Sequence, residues 1–210
     1  MQPHADQPVL TFGPAPAEAR LGVILIHGRG ASAEDILGLA HEFAVPDVAY
    51  VAPQAAGHTW YPYSFLSRLE QNEPGLSSAL QVIEGLVLHF EQHGLPPERV
   101  ALMGFSQGAC LTLEFAARHA RRYAAVAGFS GGVIGPPGTP REYPGSFDGT
   151  PVFIGCSDVD PHIPVERVRE SAELYRRMGA VVDERIYPGM GHTINRAEVD
   201  AVRLLLTAPR

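Results

Sequence analysis

The chain has 210 residues, is 45% hydrophobic and carries a formal net charge of −7, which predicts one globular domain over residues 1–210. Its basic residues are scattered rather than clustered, so nucleic-acid binding and attachment to an anionic membrane are not expected. The apolar stretch Leu21–Ile26 is too short to span a bilayer and no leader pattern precedes it, so we expect a cytoplasmic protein without stable membrane insertion.

Short apolar runs alternate along the chain with amphipathic segments. The apolar runs predict strands at residues 22–26, 48–52, 100–103, 124–129, 152–155 and 181–187. The amphipathic segments predict helices at residues 33–43, 77–92, 107–119, 165–178 and 196–207. This alternation predicts an α/β fold with a doubly wound, mostly parallel sheet, in which functional groups collect at the carboxyl ends of the strands.

Residues 99–119 contain, in order, an apolar run, the sequence Gly-Phe-Ser-Gln-Gly and an amphipathic pattern. That order is typical of a nucleophile elbow, a sharp strand-to-helix turn that holds a serine hydroxyl where a base can reach it. Gly104 and Gly108 remove the side chains that would collide in such a turn. Ser106 is therefore the predicted nucleophile.

A second serine fits the same five-residue pattern. Residues 128–132 read Gly-Phe-Ser-Gly-Gly and also follow an apolar run. The segment after them is rich in proline and glycine and cannot begin a helix. We therefore favour Ser106 as nucleophile and interpret Ser130 as part of a strand-end turn.

A serine nucleophile needs an imidazole base, which follows it in the chain order of this kind of fold. Of the histidines after Ser106, His119 falls within a predicted helix and His162 precedes most of the available carboxylates. His192 lies in a glycine-rich loop after the last predicted strand, where the backbone is free to aim the ring at the elbow. His192 is the predicted base.

The base in turn needs a carboxylate that fixes its tautomer. Asp158 and Asp160 lie two residues apart in one loop, and both remain candidates. Pro161 and Pro164 stiffen the segment that follows Asp160, which favours Asp160 as the acid.

Two backbone N–H groups are expected to hold the oxyanion of a tetrahedral intermediate. One belongs to Gln107, directly after the nucleophile, and the other to Arg29 in the loop His27-Gly28-Arg29-Gly30. The Arg29 guanidinium either binds a carboxylate of the substrate or points to solvent.

The long loops at residues 54–75 and 131–150 are expected to form the walls of a pocket. Trp60 is the single tryptophan, and in that loop it either lines the pocket or fixes the loop to the core. The residues predicted to contact substrate are His27, Gly28, Trp60, Tyr61 and His162.

Four segments together resemble the phospholipase/carboxylesterase family of α/β-hydrolases, which includes the acyl-protein thioesterases. They are LIHGRG at residues 25–30, GFSQGA at 104–109, DVDPHIP at 158–164 and GMGH at 189–192. The resemblance implies that Asp160 is the acid. It also implies a compact fold without a cap domain, and hydrolysis of carboxylic esters or thioesters without a metal.

The expected partner is therefore a small-molecule ester or thioester, cleaved through an acyl-enzyme, and the sequence leaves a homodimer open. No His-x-x-x-His or comparable ligand spacing is present, so no metal or other cofactor is expected. Cys110 and Cys156 are expected to be reduced and buried.

The sequence departs from the acyl-protein thioesterases in two loops. These enzymes carry an apolar residue and an acid where this chain has Arg29 and Ala31, and the run GHTWYPYSF is closer to bacterial small-molecule hydrolases of the family. An alternative is a lactone or aromatic ring-fission-product hydrolase, similar to dienelactone hydrolase, with a small pocket and Arg29 facing inward. A non-catalytic binding module would require a broken triad.

Overall fold

A computed structural model describes residues 2–208, and within them the strands form a seven-stranded sheet. The strands are β1 (Val9–Phe12), β2 (Leu21–Ile26), β3 (Val48–Pro53), β4 (Val100–Phe105), β5 (Ala125–Phe129), β6 (Pro151–Ser157) and β7 (Val181–Tyr187). Their order across the sheet is β1-β3-β2-β4-β5-β6-β7. β1 pairs antiparallel with β3 and the other neighbours pair in parallel, so the predicted fold class is confirmed.

Helices cover both faces of the sheet. They are α1 (Ala33–Phe43), α2 (Gly75–Gln92), α3 (Gln107–Arg118), α4 (Val165–Arg177) and α5 (Arg196–Thr207). Residues of α2, α3 and α4 are buried in one apolar cluster, and residues of α1 and α5 in another. β2 feeds both clusters because successive strand residues point to opposite faces: Ile24 and Ile26 join the first, Val23 and Leu25 the second.

The sequence located these elements with small errors at their ends and missed one strand. For example, β4 continues to Phe105 rather than ending at residue 103, and α2 begins at Gly75 rather than at residue 77. The missed strand is β1, an edge strand of four residues whose side chains are all exposed. Its sequence, VLTF, is too short to show a periodicity, and because all four residues are exposed, no alternation of buried and exposed residues marks it.

The parallel arrangement brings the loops that follow β2, β4, β6 and β7 to one edge of the sheet. Ile26 at the end of β2 is in register with Gly104 of β4, and Phe105 of β4 with Phe129 of β5. The chemistry predicted from four separate sequence segments therefore meets at one place. Over the described range 2–208, none of the helices combines the length and apolar character that crossing a bilayer requires.

Candidate active site

Ser106 occupies a sharp turn between β4 and α3. Its backbone adopts φ 55° and ψ −119°, a conformation that L-residues rarely take, and its N–H donates to the Phe129 carbonyl at 2.9 Å. A β-carbon on Gly104 would collide with the Gly108 carbonyl, and one on Gly108 with the Ile26 carbonyl. The two glycines therefore let α3 start directly against the ends of β4 and β2, with Ser106 at its N-terminus.

Three side chains from separate loops form a hydrogen-bonded series. The Ser106 Oγ lies 2.8 Å from His192 Nε2, and His192 Nδ1 lies 2.7 Å from Asp160 Oδ2. Because an ionised carboxylate only accepts, Nδ1 carries the proton and Nε2 is left to accept the Ser106 hydroxyl proton. The Asp160 side chain is fully buried, whereas 17% of His192 is exposed. An imidazole held in this tautomer can take a proton from a serine that attacks a carbonyl.

The Asp160 carboxylate is held as an anion by donors on both oxygens. Oδ1 accepts the backbone N–H groups of His162 at 2.8 Å and Ile163 at 3.0 Å, and Oδ2 accepts from His192. Burial opposes ionisation, but the bonds from His192 and from these two N–H groups outweigh it and hold the pKa of Asp160 below its usual value. The carboxylate is therefore charged where it meets the imidazole.

Asp158 has a different task in the same loop. Its Oδ1 accepts the Gly189 N–H at 2.7 Å, and the Ser157 hydroxyl accepts the Gly191 N–H at 3.1 Å. Both bonds attach the glycine-rich loop to the end of β6. Asp158 thus holds the loop that carries His192 and makes no contact with the imidazole itself.

His27 fixes the direction of the Gly28–Arg29 peptide. Its Nε2 accepts the Ala55 N–H at 3.0 Å, so the neutral ring carries its proton on Nδ1 and donates it to the Gly28 carbonyl at 2.8 Å. Burial lowers the pKa of His27, which keeps the ring neutral. In a trans peptide the carbonyl and the next N–H point in opposite directions. Anchoring the Gly28 oxygen therefore turns the Arg29 N–H the other way, and Gly28 packs against the Ser106 β-carbon.

The Arg29 side chain binds the chain itself rather than open solvent. Its guanidinium donates to three consecutive carbonyls, those of Tyr61 at 2.8 Å, Pro62 at 3.0 Å and Tyr63 at 2.8 Å. These bonds fix the wall formed by residues 61–63 to the loop that follows β2. We call this contact the Arg29 clamp.

Trp60 lies in the core and does not line the cavity beside Ser106. Its side chain is fully buried, and its indole N–H donates to the His27 carbonyl at 2.9 Å. The Gln107 side chain accepts the Trp60 N–H at 2.9 Å and donates to the Tyr61 carbonyl at 2.8 Å. Of the two alternatives for Trp60, the structure has the one in which it fixes the loop.

The cavity beside Ser106 has a volume of about 440 Å³ and is open to solvent. Its lining is Arg29, Tyr61, Pro62, Tyr63, Ser64, Phe65, Phe105, Ser106, Gln107, Cys110, His162, Ile163 and His192. Of the residues predicted to contact substrate, Tyr61 and His162 lie in this lining, while His27, Gly28 and Trp60 lie behind it. Loop 54–75 forms one wall as predicted, but loop 131–150 does not reach the cavity.

Some lining residues were missed by the sequence analysis, although two of them carried a usable signal. Phe105 is the residue before the serine, and its ring packs 4.9 Å from the His192 ring. Cys110 lies one helical turn after Ser106 and so faces the same side of α3. Phe65 and Ile163 had no comparable signal, because they are brought to the cavity by the path of their loops.

A scan against family models decides the classification. Residues 14–208 match the model described as Phospholipase/Carboxylesterase. The chain belongs to this family. The resemblance inferred from the four sequence segments is confirmed, and the members matched by name are carboxylesterases and acyl-protein thioesterases, which are hydrolases.

Individual members of the phospholipase/carboxylesterase family show the same relationship. An acyl-protein thioesterase 1 of Gibberella zeae is 30% identical over 150 residues, which are 67% of this chain and 60% of that relative's length. A probable carboxylesterase of Oryza sativa is 25% identical over an alignment that covers 88% of this chain and 76% of that relative. The solved structure of a phospholipase/carboxylesterase from Dyadobacter fermentans superposes with a TM-score of 0.94 at 41% identity, covering 99% of both chains.

Residues 2–208 contain no group of three or more His, Cys, Asp or Glu side chains that could hold a metal ion. Both cysteines are free and buried. Burial raises the pKa of each thiol to about 12, so both keep their protons at neutral pH.

Proposed function

We propose that this chain hydrolyses carboxylic esters or thioesters of small to medium acyl substrates through an acyl-enzyme on Ser106. The observation that carries the proposal is the unbroken series from Ser106 through His192 to Asp160, with 2.8 Å and 2.7 Å between successive polar atoms. A module that only binds ligands would have no need of this series.

In the proposed reaction the Ser106 Oγ attacks the carbonyl carbon while His192 Nε2 accepts the hydroxyl proton. Asp160 stabilises the resulting imidazolium. Collapse of the tetrahedral intermediate transfers that proton to the departing alcohol or thiol and leaves an acyl group on Ser106. Water then attacks the acyl-enzyme by the same route, which releases the carboxylic acid and restores the serine hydroxyl.

The oxyanion of the intermediate is assigned to the backbone N–H groups of Arg29 and Gln107. Over residues 2–208, neither of these groups donates to another backbone carbonyl. The Gln107 N–H lies in the first turn of α3, where the helix leaves N–H groups unpaired. The Arg29 N–H is turned by the His27 contact with the Gly28 carbonyl described above.

The proposal favours esters over the lactone alternative. A lactone or ring-fission product with a carboxylate would call for an Arg29 guanidinium free to bind it, whereas this guanidinium is engaged with three carbonyls. The open cavity of about 440 Å³, with the Phe65, Phe105 and Ile163 side chains in its lining, suits an uncharged acyl group of modest size. Since one chain supplies every group in the proposed reaction, no second copy is required. The two reduced cysteines support a cytoplasmic location.

A fluorophosphonate probe followed by intact-mass analysis tests the nucleophile. We expect one adduct on the native chain and on Ser130→Ala, and none on Ser106→Ala. An unmodified native chain, or an adduct that persists in Ser106→Ala, contradicts the proposal. A series of p-nitrophenyl esters and matched thioesters from acetate to decanoate then gives the acyl length and the leaving group, and we expect kcat/KM to fall for the longest chains.

A further inference from the structure

The hydroxyl of Ser130, in the second Gly-x-Ser-x-Gly segment, has no catalytic partner. Ser130 follows β5 with φ 51°, in the left-handed region that few residues other than glycine adopt. Its side chain is fully buried, and its Oγ makes no hydrogen bond within residues 2–208. Phe129, the residue before it, is in register with Gly155 of β6, so Ser130 lies beside Cys156 on the neighbouring strand.

Cys156, by contrast, contacts the acid of the proposed triad. It lies near the end of β6, is fully buried, and its Sγ is 3.7 Å from Asp160 Oδ2. Burial and the Asp160 charge raise the pKa of Cys156 to about 12. The thiol therefore remains protonated at neutral pH and can donate to the carboxylate.

The thiol and the imidazole share one oxygen of Asp160. Oδ1 is occupied by two backbone N–H groups, while Oδ2 accepts from His192 Nδ1 and from Cys156. A donor on this oxygen withdraws charge that would otherwise stabilise the imidazolium. How strongly Cys156 donates thus affects how readily His192 takes up a proton.

We propose that Cys156 is a positioning residue that tunes the Asp160 carboxylate and thereby the basicity of His192. The inference rests on the proposed function. Besides Asp160, the titratable group that faces His192 is His162, whose ring lies 4.8 Å away edge-on, and the Phe105 ring of β4 packs 4.9 Å from the imidazole. Cys156 takes no part in bond making and acts through Asp160.

The pH dependence of kcat/KM for p-nitrophenyl acetate tests the proposal, because the rate rises as His192 loses its proton. Cys156→Ala removes the donor, and we expect the acid limb of the profile to move to higher pH by about 0.5 unit with KM unchanged. Cys156→Ser supplies a stronger donor, so its acid limb should move to lower pH. Coincident profiles for the native chain and both variants would overturn the proposal.

Two further variants separate tuning from packing. Val152→Ala leaves a comparable void in the same buried strand, away from Asp160, and is expected to lower the thermal midpoint without moving the profile. Ser130→Ala removes a buried hydroxyl that has no hydrogen-bond partner within residues 2–208, so its acid limb should coincide with that of the native chain. A shift in Val152→Ala equal to that in Cys156→Ala would assign the effect to packing and contradict the proposal.

A measurement that needs no turnover keeps this inference distinct from the proposed function. The Nδ1 proton of His192, held between nitrogen and carboxylate, is expected to give a far-downfield proton NMR resonance. Its position should shift in opposite directions in Cys156→Ala and Cys156→Ser. If the native chain hydrolyses no ester but the resonance shifts in this way, the proposed function fails and the role of Cys156 stands; if the chain is active and the resonance is unmoved, the reverse holds.

Discussion

Two neighbouring strands end in the same five-residue pattern, and the chain uses the two ends differently. The segments at residues 104–108 and 128–132 lie side by side, with Gly104 in register with Gly128. Both serines take a positive φ, 55° at Ser106 and 51° at Ser130. The first hydroxyl meets an imidazole, whereas the second is buried and has no hydrogen-bond partner within residues 2–208.

The difference follows from what comes after each turn. Residues after Ser106 form α3, whose start brings unpaired N–H groups and an open cavity to the hydroxyl. Residues after Ser130 form no helix up to Thr150, and Gly131 lies so close to α3 that an added β-carbon would be 2.5 Å from the Ala109 side chain. The pattern specifies a backbone turn, and the following segment determines whether its hydroxyl can react.

The largest expected effect separates the two serines directly. Ser106→Ala should lower kcat for p-nitrophenyl acetate by about 10⁶-fold, the cost of removing a serine nucleophile from a triad. Ser130→Ala should keep most of the native rate, since its hydroxyl makes no hydrogen bond within residues 2–208. Comparable losses in the two variants would show that the two turns are functionally equivalent after all.

The second prediction concerns Asp160, the proposed acid, whose imidazole partner contacts Ser106 of the first turn. Asp160→Asn should lower kcat by about 10⁴-fold, because the amide no longer enforces the required tautomer of His192. Asp158→Asn keeps an oxygen that can accept the Gly189 N–H, so we expect a change of about threefold or less, because surface interactions of this kind are weak. The assay is the same. A greater loss in Asp158→Asn than in Asp160→Asn would reverse the assignment.

The third prediction compares the glycine two residues after each serine. A β-carbon on Gly108 would lie 2.1 Å from the Ile26 carbonyl oxygen, whereas one on Gly132 would first meet side-chain atoms, 2.8 Å from Arg167 Cγ and 3.0 Å from Ser171 Oγ. We expect Gly108→Ala to lower the free energy of unfolding by about 3 kcal/mol or more, and Gly132→Ala by about half as much. Urea unfolding measures both.

A matched control for these substitutions is Gly38→Ala in α1, where a β-carbon meets no atom within 4 Å. Its higher helix propensity should raise the free energy of unfolding by about 0.5 to 1 kcal/mol. Equal losses for Gly108→Ala and Gly132→Ala would mean that the two turns are packed with equal tolerance.

The last prediction involves a buried acid behind the second turn. Glu198 lies against Gly155, whose carbonyl accepts the Ser130 N–H, and burial raises the pKa of Glu198 to about 7. The folded chain therefore binds this proton more tightly than the unfolded chain, so the free energy of unfolding falls as pH rises from about 4.5 through 7, by at most about 3 kcal/mol.

Glu198→Gln keeps an oxygen for the Asn195 N–H and should remove this fall. Urea unfolding of the native chain and the variant at pH 5 and pH 8 checks it, because subtracting the variant's pH dependence from that of the native chain cancels the other titrating groups. An equal fall in the free energy of unfolding of the native and variant chains between pH 5 and pH 8 would contradict the prediction.

The sequence was sufficient where chemistry depends on local order. An apolar run, a glycine-flanked serine and a helical pattern locate the turn at Ser106, and chain order then places Asp160 and His192 at the same sheet edge. It was insufficient where a role depends on distant partners. Trp60 is aromatic and in a loop, but only the His27 carbonyl, 33 positions away, shows that its indole is part of the core.

Cys156 illustrates the same limit. Sequence indicated a buried, reduced thiol, yet its contact with Asp160 depends on the path of the loop after β6. The exposed edge strand β1 was missed for a related reason, because its only partner is β3, some forty residues later.

The Arg29 clamp couples two properties that enzyme engineers usually vary one at a time. The residue whose amide is assigned to the developing negative charge is also the residue whose side chain holds the wall at Tyr61 to Tyr63. A change that widens this wall for a bulkier acyl group therefore also moves the donor that lowers the barrier. Selection for a new substrate range in this chain is expected to lower turnover unless Arg29 keeps its three carbonyl partners. Library design should therefore leave residues 61–63 unchanged and vary Phe65 or Ile163 instead.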